Sequence, residues 1–151
     1  MAQEGKYVYD WPRAMVTTDA VVFTYSGDSA KVLLINRGKE PYKGQWALPG
    51  GFVEIDEELE DAVVRELAEE TGLTGIRLEQ MHTFGTIGRD PRGRQITIVY
   101  MGIATEEQTG IKAGDDAAQA QWFDIEELPS NMAFDHNEVV RFAIAKLKTI
   151  I

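Results

Sequence analysis

The sequence predicts one α/β domain in which a mixed β-sheet is sandwiched between helices. Three observations lead there. At 151 residues the chain has room for one core, against roughly 100–200 residues per domain. Runs of β-branched and aromatic residues fall before, between and after two stretches of helical periodicity, the pattern of a sheet covered by helices. Hydrophobic residues make up 44% and charged residues 26%, an ordinary globular balance with no apolar run long enough to span a bilayer. Residues 1–13 read as an N-terminal segment and 14–151 as the domain.

The elements follow in order. Ala14 to Tyr25 is β-branched and aromatic, Ser26 to Ser29 supplies turn residues, and Lys31 to Arg37 is a second apolar run, so two strands joined by a turn are expected. Gly38 to Gln45 is polar, and Trp46 to Gly51 (WALPGG) cannot be helical and reads as a shaped loop. Asp56 to Thr71 has helical periodicity, with Asp56 as N-cap, acids in the first turn and Gly72 as the stop; Leu59 at the third position precludes a capping box. Leu78 to Ile87 and Gln95 to Thr105 flank a turn with three arginines, Arg89, Arg92 and Arg94, which predicts a hairpin with a basic tip. Glu106 to Asp116 is a polar loop, Ala118 to Phe123 a last short strand, and Asp135 to Lys148 a packed terminal helix.

Charge and composition exclude several function classes. Fifteen Lys plus Arg against twenty-five Asp plus Glu leave a net charge of −10, which opposes generic attraction to nucleic acid. Without Cys there is no disulfide, thiol nucleophile or thiolate metal site, and the two histidines, His82 and His136, stand apart from other ligand types and read as structural. Any metal must therefore be a hard ion held by oxygen. Met1 to Pro12 contains no apolar signal segment, so a cytoplasmic protein with no membrane partner is expected.

On a helical wheel Glu66, Glu69 and Glu70 continue the stripe of Leu59, Ala62 and Val63, all within about 120° of one another. The acids thus share the face that turns toward the protein, where like charges at i, i+3 and i+4 repel and take up protons unless a cation neutralises them. Oxygen-only ligation favours Mg²⁺, with Mn²⁺ as a substitute, and Mg²⁺ commonly binds phosphate oxygens beside carboxylates. A phosphate compound is the expected substrate.

Gly51, Glu57, Arg65, Glu66, Leu67, Glu69, Glu70, Gly72 and Leu73 satisfy the pattern G-x5-E-x7-R-E-U-x-E-E-x-G-U, where U is a bulky aliphatic residue. This resembles the box of the Nudix hydrolases. The strand ending in Arg37, the WALPGG approach and Trp122-Phe123 are similar to that family as well. The resemblance implies a Nudix-type α/β/α sandwich and hydrolysis of a nucleoside diphosphate linked to another moiety, without a covalent intermediate. It implies Glu66, Glu69 and Glu70 as catalytic and metal-binding acids, with the Gly50 carbonyl as a further metal ligand. Glu57, placed by the wheel on the side away from the metal face, and Arg65 become structural supports for the loop and helix.

Thr83 to Arg94 resembles segments of bacterial ADP-ribose pyrophosphatases and of ADP-ribose-responsive regulators, with Pro91 a candidate for the proline that marks the ADP-ribose subgroup. A Mg²⁺-dependent pyrophosphatase acting on ADP-ribose or a related nucleotide sugar is therefore expected. The alternatives are a nucleoside triphosphate or dinucleotide pyrophosphatase of the same family and a non-catalytic ADP-ribose-binding sensor; intact box acids and a chain too short for an added DNA-binding module favour catalysis. Arg37, Arg89 and Arg92 are the substrate-binding candidates. For the general base, Asp116 is preferred over Asp115, Glu106 and Glu107 in the polar loop. The partner expected is a small-molecule nucleotide, without nucleic acid; a homodimer is compatible with the sequence.

Overall fold

The computed structural model describes residues 6–110 and 117–150. β1 (Met15–Ser26) and β2 (Ser29–Arg37) form the expected hairpin, tightened at Gly27, whose φ of 64° suits a residue without a Cβ. β5 (Glu79–Phe84) and β6 (Gln95–Ile103) pair antiparallel, and β6 lies parallel to β1 along its length, from Met15 opposite Gln95 to Phe23 opposite Ile103. β7 (Ala117–Asp124) pairs antiparallel with β2. The sheet is therefore mixed, as expected.

The segment read as a shaped loop contains two short strands, β3 (Trp46–Ala47) and β4 (Gly50–Phe52). β6 occupies one edge of β1 and β7 one edge of β2, so the facing edges of β1 and β2 must take all remaining partners. They pair with each other from Phe23 to Val32 around the turn. Beyond that β1 pairs with β4 through Thr17 to Asp19, and β2 with β3 through Ile35 and Asn36. The sheet forks, and Leu48 and Pro49 cross the fork from one arm to the other. Strands of two and three residues carry too little alternation to be seen in sequence.

Period-two alternation divides the core. Val21 and Phe23 join Val32, Leu34 and Val99 under α2 (His136–Leu147), against Val139, Val140, Ala143 and Leu147. Ala20, Val22, Leu33 and Tyr100 lie on the other face beneath α1 (Leu59–Thr71), against Val63 and Leu67. Two cores on two sheet faces make the α/β/α sandwich. No described helix is long and apolar enough to cross a membrane.

α1 begins at Leu59, not at Asp56, and its N-cap is Glu58 with no side-chain cap bond. Glu57 is the reason. Its Oε1 accepts the Glu54 N–H at 3.1 Å, which closes residues 54–57 into a turn before the helix. Glu57 is consequently not on the helical wheel and does not face away from the acids, since it shares the Arg65 guanidinium with Glu66. The helix stops where predicted, at Gly72, with φ of 77° and its N–H donating to the Ala68 carbonyl.

Candidate active site

The fork in the sheet opens on a cleft of about 1400 Å³, larger than the roughly 300–1,000 Å³ of common ligand pockets. α1 supplies its acidic wall. Glu66 and Glu70 are buried, on the stripe that also buries Ala62, Val63 and Leu67, while Glu69 sits at the flank with its side chain 30% exposed. The glycines of the crossing turn allow the approach. A Cβ on Gly51 would stand 2.7 Å from the Glu66 carboxylate, and one on Gly50 2.3 Å from both the Thr18 carbonyl oxygen and Asp19 Oδ1. At Gly50 backbone stands in the way and only hydrogen fits, whereas at Gly51 a Cβ would have to push the Glu66 carboxylate aside.

Arg65 organises one half of the acids. Its Nε and Nη2 donate to the two carboxylate oxygens of Glu57 at 2.7 and 2.9 Å, and Nη2 also donates to the Phe52 carbonyl at 3.2 Å. Nη1 donates to Glu66 at 2.8 Å and to Glu69 at 3.2 Å. Glu57 therefore sits inside the site, linking the pre-helix turn to the helix. Its carboxyl is held below the ordinary value chiefly by the Arg65 hydrogen bond. Glu66 is raised, because burial outweighs its guanidinium partner.

Glu70 is different. Its Oε1 accepts the Gly50 N–H at 2.8 Å, and burial, with Glu66 and Asp19 nearby, pushes its pKa up to about 8. Asp19 was not singled out from the sequence. It is buried, accepts the Thr97 hydroxyl at 2.5 Å through Oδ2, and places that oxygen 3.8 Å from His136 Nε2. The available signal was an acid in the middle of an apolar strand. His136, expected to be merely structural, lines the cleft, and its Nδ1 accepts the Leu48 N–H at 3.0 Å.

The arginines divide by partner. Arg89 is buried and donates to both oxygens of Asp135, at 2.9 and 2.6 Å. Arg92 donates to Asp90 at 3.1 and 2.9 Å, with its guanidinium carbon 5.1 Å from the centre of the Phe52 ring and 5.4 Å from that of Phe134. Arg37 donates from Nε to the Pro41 carbonyl at 2.7 Å and lies 5.0 Å from the Phe134 ring centre. All three line the cleft. Asp115 and Asp116 lie outside the described residues. Trp46 packs edge-on against Phe123 and His82 stacks on Phe142, both away from the acids.

Among the described residues, no three Asp, Glu or His side chains converge as a ready metal cluster. The donor set nevertheless suits a hard cation. Every candidate donor is oxygen, and the glycine cradle brings backbone beside the Glu66 and Asp19 carboxylates.

A forked sheet that feeds a glycine turn into a helix of inward-facing carboxylates, opposite an arginine-bearing hairpin, defines a class of α/β/α domains with an acid-walled cleft. The NUDIX domain model matches residues 15–142, and the chain belongs to that family. It is 47% identical over 111 residues to an ADP-ribose pyrophosphatase of Methanocaldococcus jannaschii, covering 74% of this chain and 64% of that protein. It is 34% identical to the ADPR responsive transcriptional repressor NtrR of Acinetobacter baylyi, covering 91% of this chain and 56% of that one. The chain thus spans less than two thirds of the length of either relative. Among solved structures, the NUDIX domain of Shewanella oneidensis NrtR complexed with ADP ribose superposes with a TM-score of 0.82 at 34% identity, covering 92% of this chain and 94% of that one.

Proposed function

We propose that this chain is a Mg²⁺-dependent pyrophosphatase that hydrolyses a nucleoside diphosphate linked to another moiety, ADP-ribose or a related nucleotide sugar. The observation that carries the reading is the burial of Glu66 and Glu70 against the glycine turn, at the head of a cleft that also receives Arg37 and Arg92. Glu66, Glu69, Glu70 and the Gly50 carbonyl would hold the cation, with Mn²⁺ as a substitute. When bound, Mg²⁺ supplies positive charge that shields the diphosphate oxygens and makes phosphorus easier to attack.

The chain's own groups do the rest. Arg92, steadied by Asp90, and Arg37, steadied by the Pro41 carbonyl, offer fixed guanidinium charge to phosphate or ribose oxygens. Arg89 contributes by holding the hairpin tip to Asp135. Arg65 and Glu57 fix the turn before α1, so the acids cannot swing away when substrate enters. Asp116 remains our choice for the base that accepts the proton of the attacking water, tested by comparing its amide variant with those of Asp115, Glu106 and Glu107 across pH.

The decisive experiment incubates the protein and Mg²⁺ with ADP-ribose, nucleotide sugars, dinucleoside polyphosphates and nucleoside triphosphates, with products identified by mass. AMP and ribose 5-phosphate from ADP-ribose, with oxygen from labelled water in one of the two phosphates, are expected. Turnover confined to triphosphates or dinucleotides would move the substrate class. Tight ADP-ribose binding without cleavage would favour a sensor, the reading that the similarity to the A. baylyi repressor supports.

A further inference from the structure

The two residues just before α2 break local rules together. Asp135 occupies the N-cap, where an aspartate ordinarily accepts an N–H of the first turn, yet it makes no such bond. Both of its oxygens go to Arg89, on the hairpin tip 46 residues earlier in the chain. Phe134, just before it, holds φ at 53°, one of two non-glycine residues with positive φ among those described. The other is Tyr42, and the two rings meet edge-on with centroids 4.8 Å apart. A forgone cap bond and an unfavourable backbone angle at adjacent positions are retained only where something else over-determines them.

His136 completes the pattern. Its Nδ1 accepts a backbone N–H and so carries no proton, and burial, opposed by the nearby Asp19 and Asp135 carboxylates, lowers the pKa of the ring. Because Nδ1 accepts the Leu48 N–H, the ring proton is on Nε2, facing Asp19 Oδ2 at 3.8 Å, beyond direct hydrogen-bonding distance. The turn that His136 touches is gripped by three elements. Leu48 N–H donates to His136 of α2, the Pro49 carbonyl accepts from Ala20 N–H of β1 at 2.9 Å, and Gly50 N–H donates to Glu70 of α1. The segment leading into α2 is also tied to β3, since Trp46 N–H donates to the Asn131 carbonyl and Ala133 N–H to the Trp46 carbonyl.

We propose that Asp135 and His136 are positioning residues that hold the two halves of the cleft in register: His136 sets the Leu48–Gly50 turn on the acid side, and Asp135 sets the Arg89 hairpin tip on the substrate side. The catalytic consequence rests on the function proposed above; the positioning itself does not. Neither residue touches the reacting atoms. Each acts through a neighbour, His136 on the backbone that carries Gly50 and Asp135 on the loop that carries Arg92.

The test compares His136→Ala, His136→Asn and Asp135→Asn with the unaltered protein. Asparagine keeps an acceptor where Nδ1 stands, and alanine does not. Amide hydrogen exchange at Leu48 and Gly50, measured by NMR without metal, is expected to quicken in His136→Ala and to return toward the original rate in His136→Asn. Mn²⁺ affinity, read by electron paramagnetic resonance, should fall about 10–100-fold in His136→Ala and recover in His136→Asn. Asp135→Asn should leave Mn²⁺ affinity within about twofold while weakening ADP-ribose binding, measured by calorimetry, about 10-fold. Unchanged exchange at Leu48 and Gly50 in His136→Ala, or an asparagine variant no better than alanine, overturns the role of His136. Unweakened ADP-ribose binding in Asp135→Asn overturns that of Asp135. Should His136→Ala not fold, His136→Gln replaces it, because its longer amide reaches the Nε2 position and not that of Nδ1. If the unaltered protein bound neither Mn²⁺ nor ADP-ribose, the proposed function would fail with the Asp135 arm, while amide exchange would still decide His136.

Discussion

The acids of α1 meet two different environments less than two helical turns apart. Glu66 and Glu69 share the Arg65 guanidinium with Glu57, so that half of the site carries its own counter-charge. Glu70 has the Gly50 N–H and lies near Asp19, and its pKa rises to about 8. One half is a closed ion network that fixes geometry. The other is a desolvated carboxyl that keeps its proton up to about pH 8 unless a cation offsets its charge. The contrast teaches that a run of similar glutamates divides its labour according to which of them a neighbouring arginine can reach.

The largest effect is expected at Glu70. Glu70→Gln keeps an oxygen for the Gly50 N–H and loses the charge, so turnover should drop by about 10³-fold, the several kcal/mol that a well-held cation contributes. The metal-free protein should melt no lower than the parent, because a buried ionisable group has been removed. Near-normal turnover in steady-state assays would merge the two halves into one. Gly51→Ala comes next. Its Cβ would displace the Glu66 carboxylate, the movable end of a side chain, so activity should fall about 10²-fold with little loss of melting temperature. An equally large melting shift would mean that the turn itself had been rebuilt.

Arg65→Ala should act chiefly on stability. It strands Glu57 and Glu66 without their partner at a largely buried position, and chemical denaturation should show a loss of about 3 kcal/mol. A loss of activity with unchanged stability would contradict the assignment of a structural network.

The finest distinction lies in pH. In the metal-free protein the folded state keeps a proton on Glu70 between 4.5, where the unfolded chain releases it, and about 8, so stability declines as pH rises through that window. Glu57 has the opposite sign. Its lowered value contributes stability that is present above 4.5 and is lost as pH falls through the folded value. Melting temperature against pH should therefore rise and then fall. Glu70→Gln or saturating Mg²⁺ should shorten the falling limb and leave the acid limb in place. A Glu70→Gln profile that superimposes on the parent would detach that limb from Glu70.

Much of this was legible in the sequence because it obeys a period. Glu66 and Glu70 extend the stripe of Val63, so the inward acid face could be read from the sequence, and the apolar run through Ala20, Val21, Val22 and Phe23 showed a buried strand without showing which residue faces which helix. What stayed hidden depends on contacts distant in sequence. Asp56 and Glu57 looked helical because nothing local announces that Glu57 will fold back onto Glu54 and be held by Arg65. β3 and β4 are too short to show a pattern and exist because β1 and β2 diverge. His136 could not be linked to Leu48, 88 residues away, from spacing alone. Asp116 lies outside the described residues, so its assigned role rests on the sequence reading.

The parallel pairing of β1 with β6 carries a consequence for synthesis on the ribosome. β1 leaves the exit tunnel roughly 70 residues before β6 begins, a wait of about 4–14 s at 5–20 residues per second. One edge of β1 is covered early by its hairpin with β2. The other edge, beside Val21, Val22 and Phe23, stays open until Gln95 to Ile103 emerges. α1 and its acids are made within that interval, so the cleft takes shape on a sheet that is still missing a central strand. A translational pause before Gln95 would therefore prolong the stage at which the nascent chain is most prone to pair with other strands.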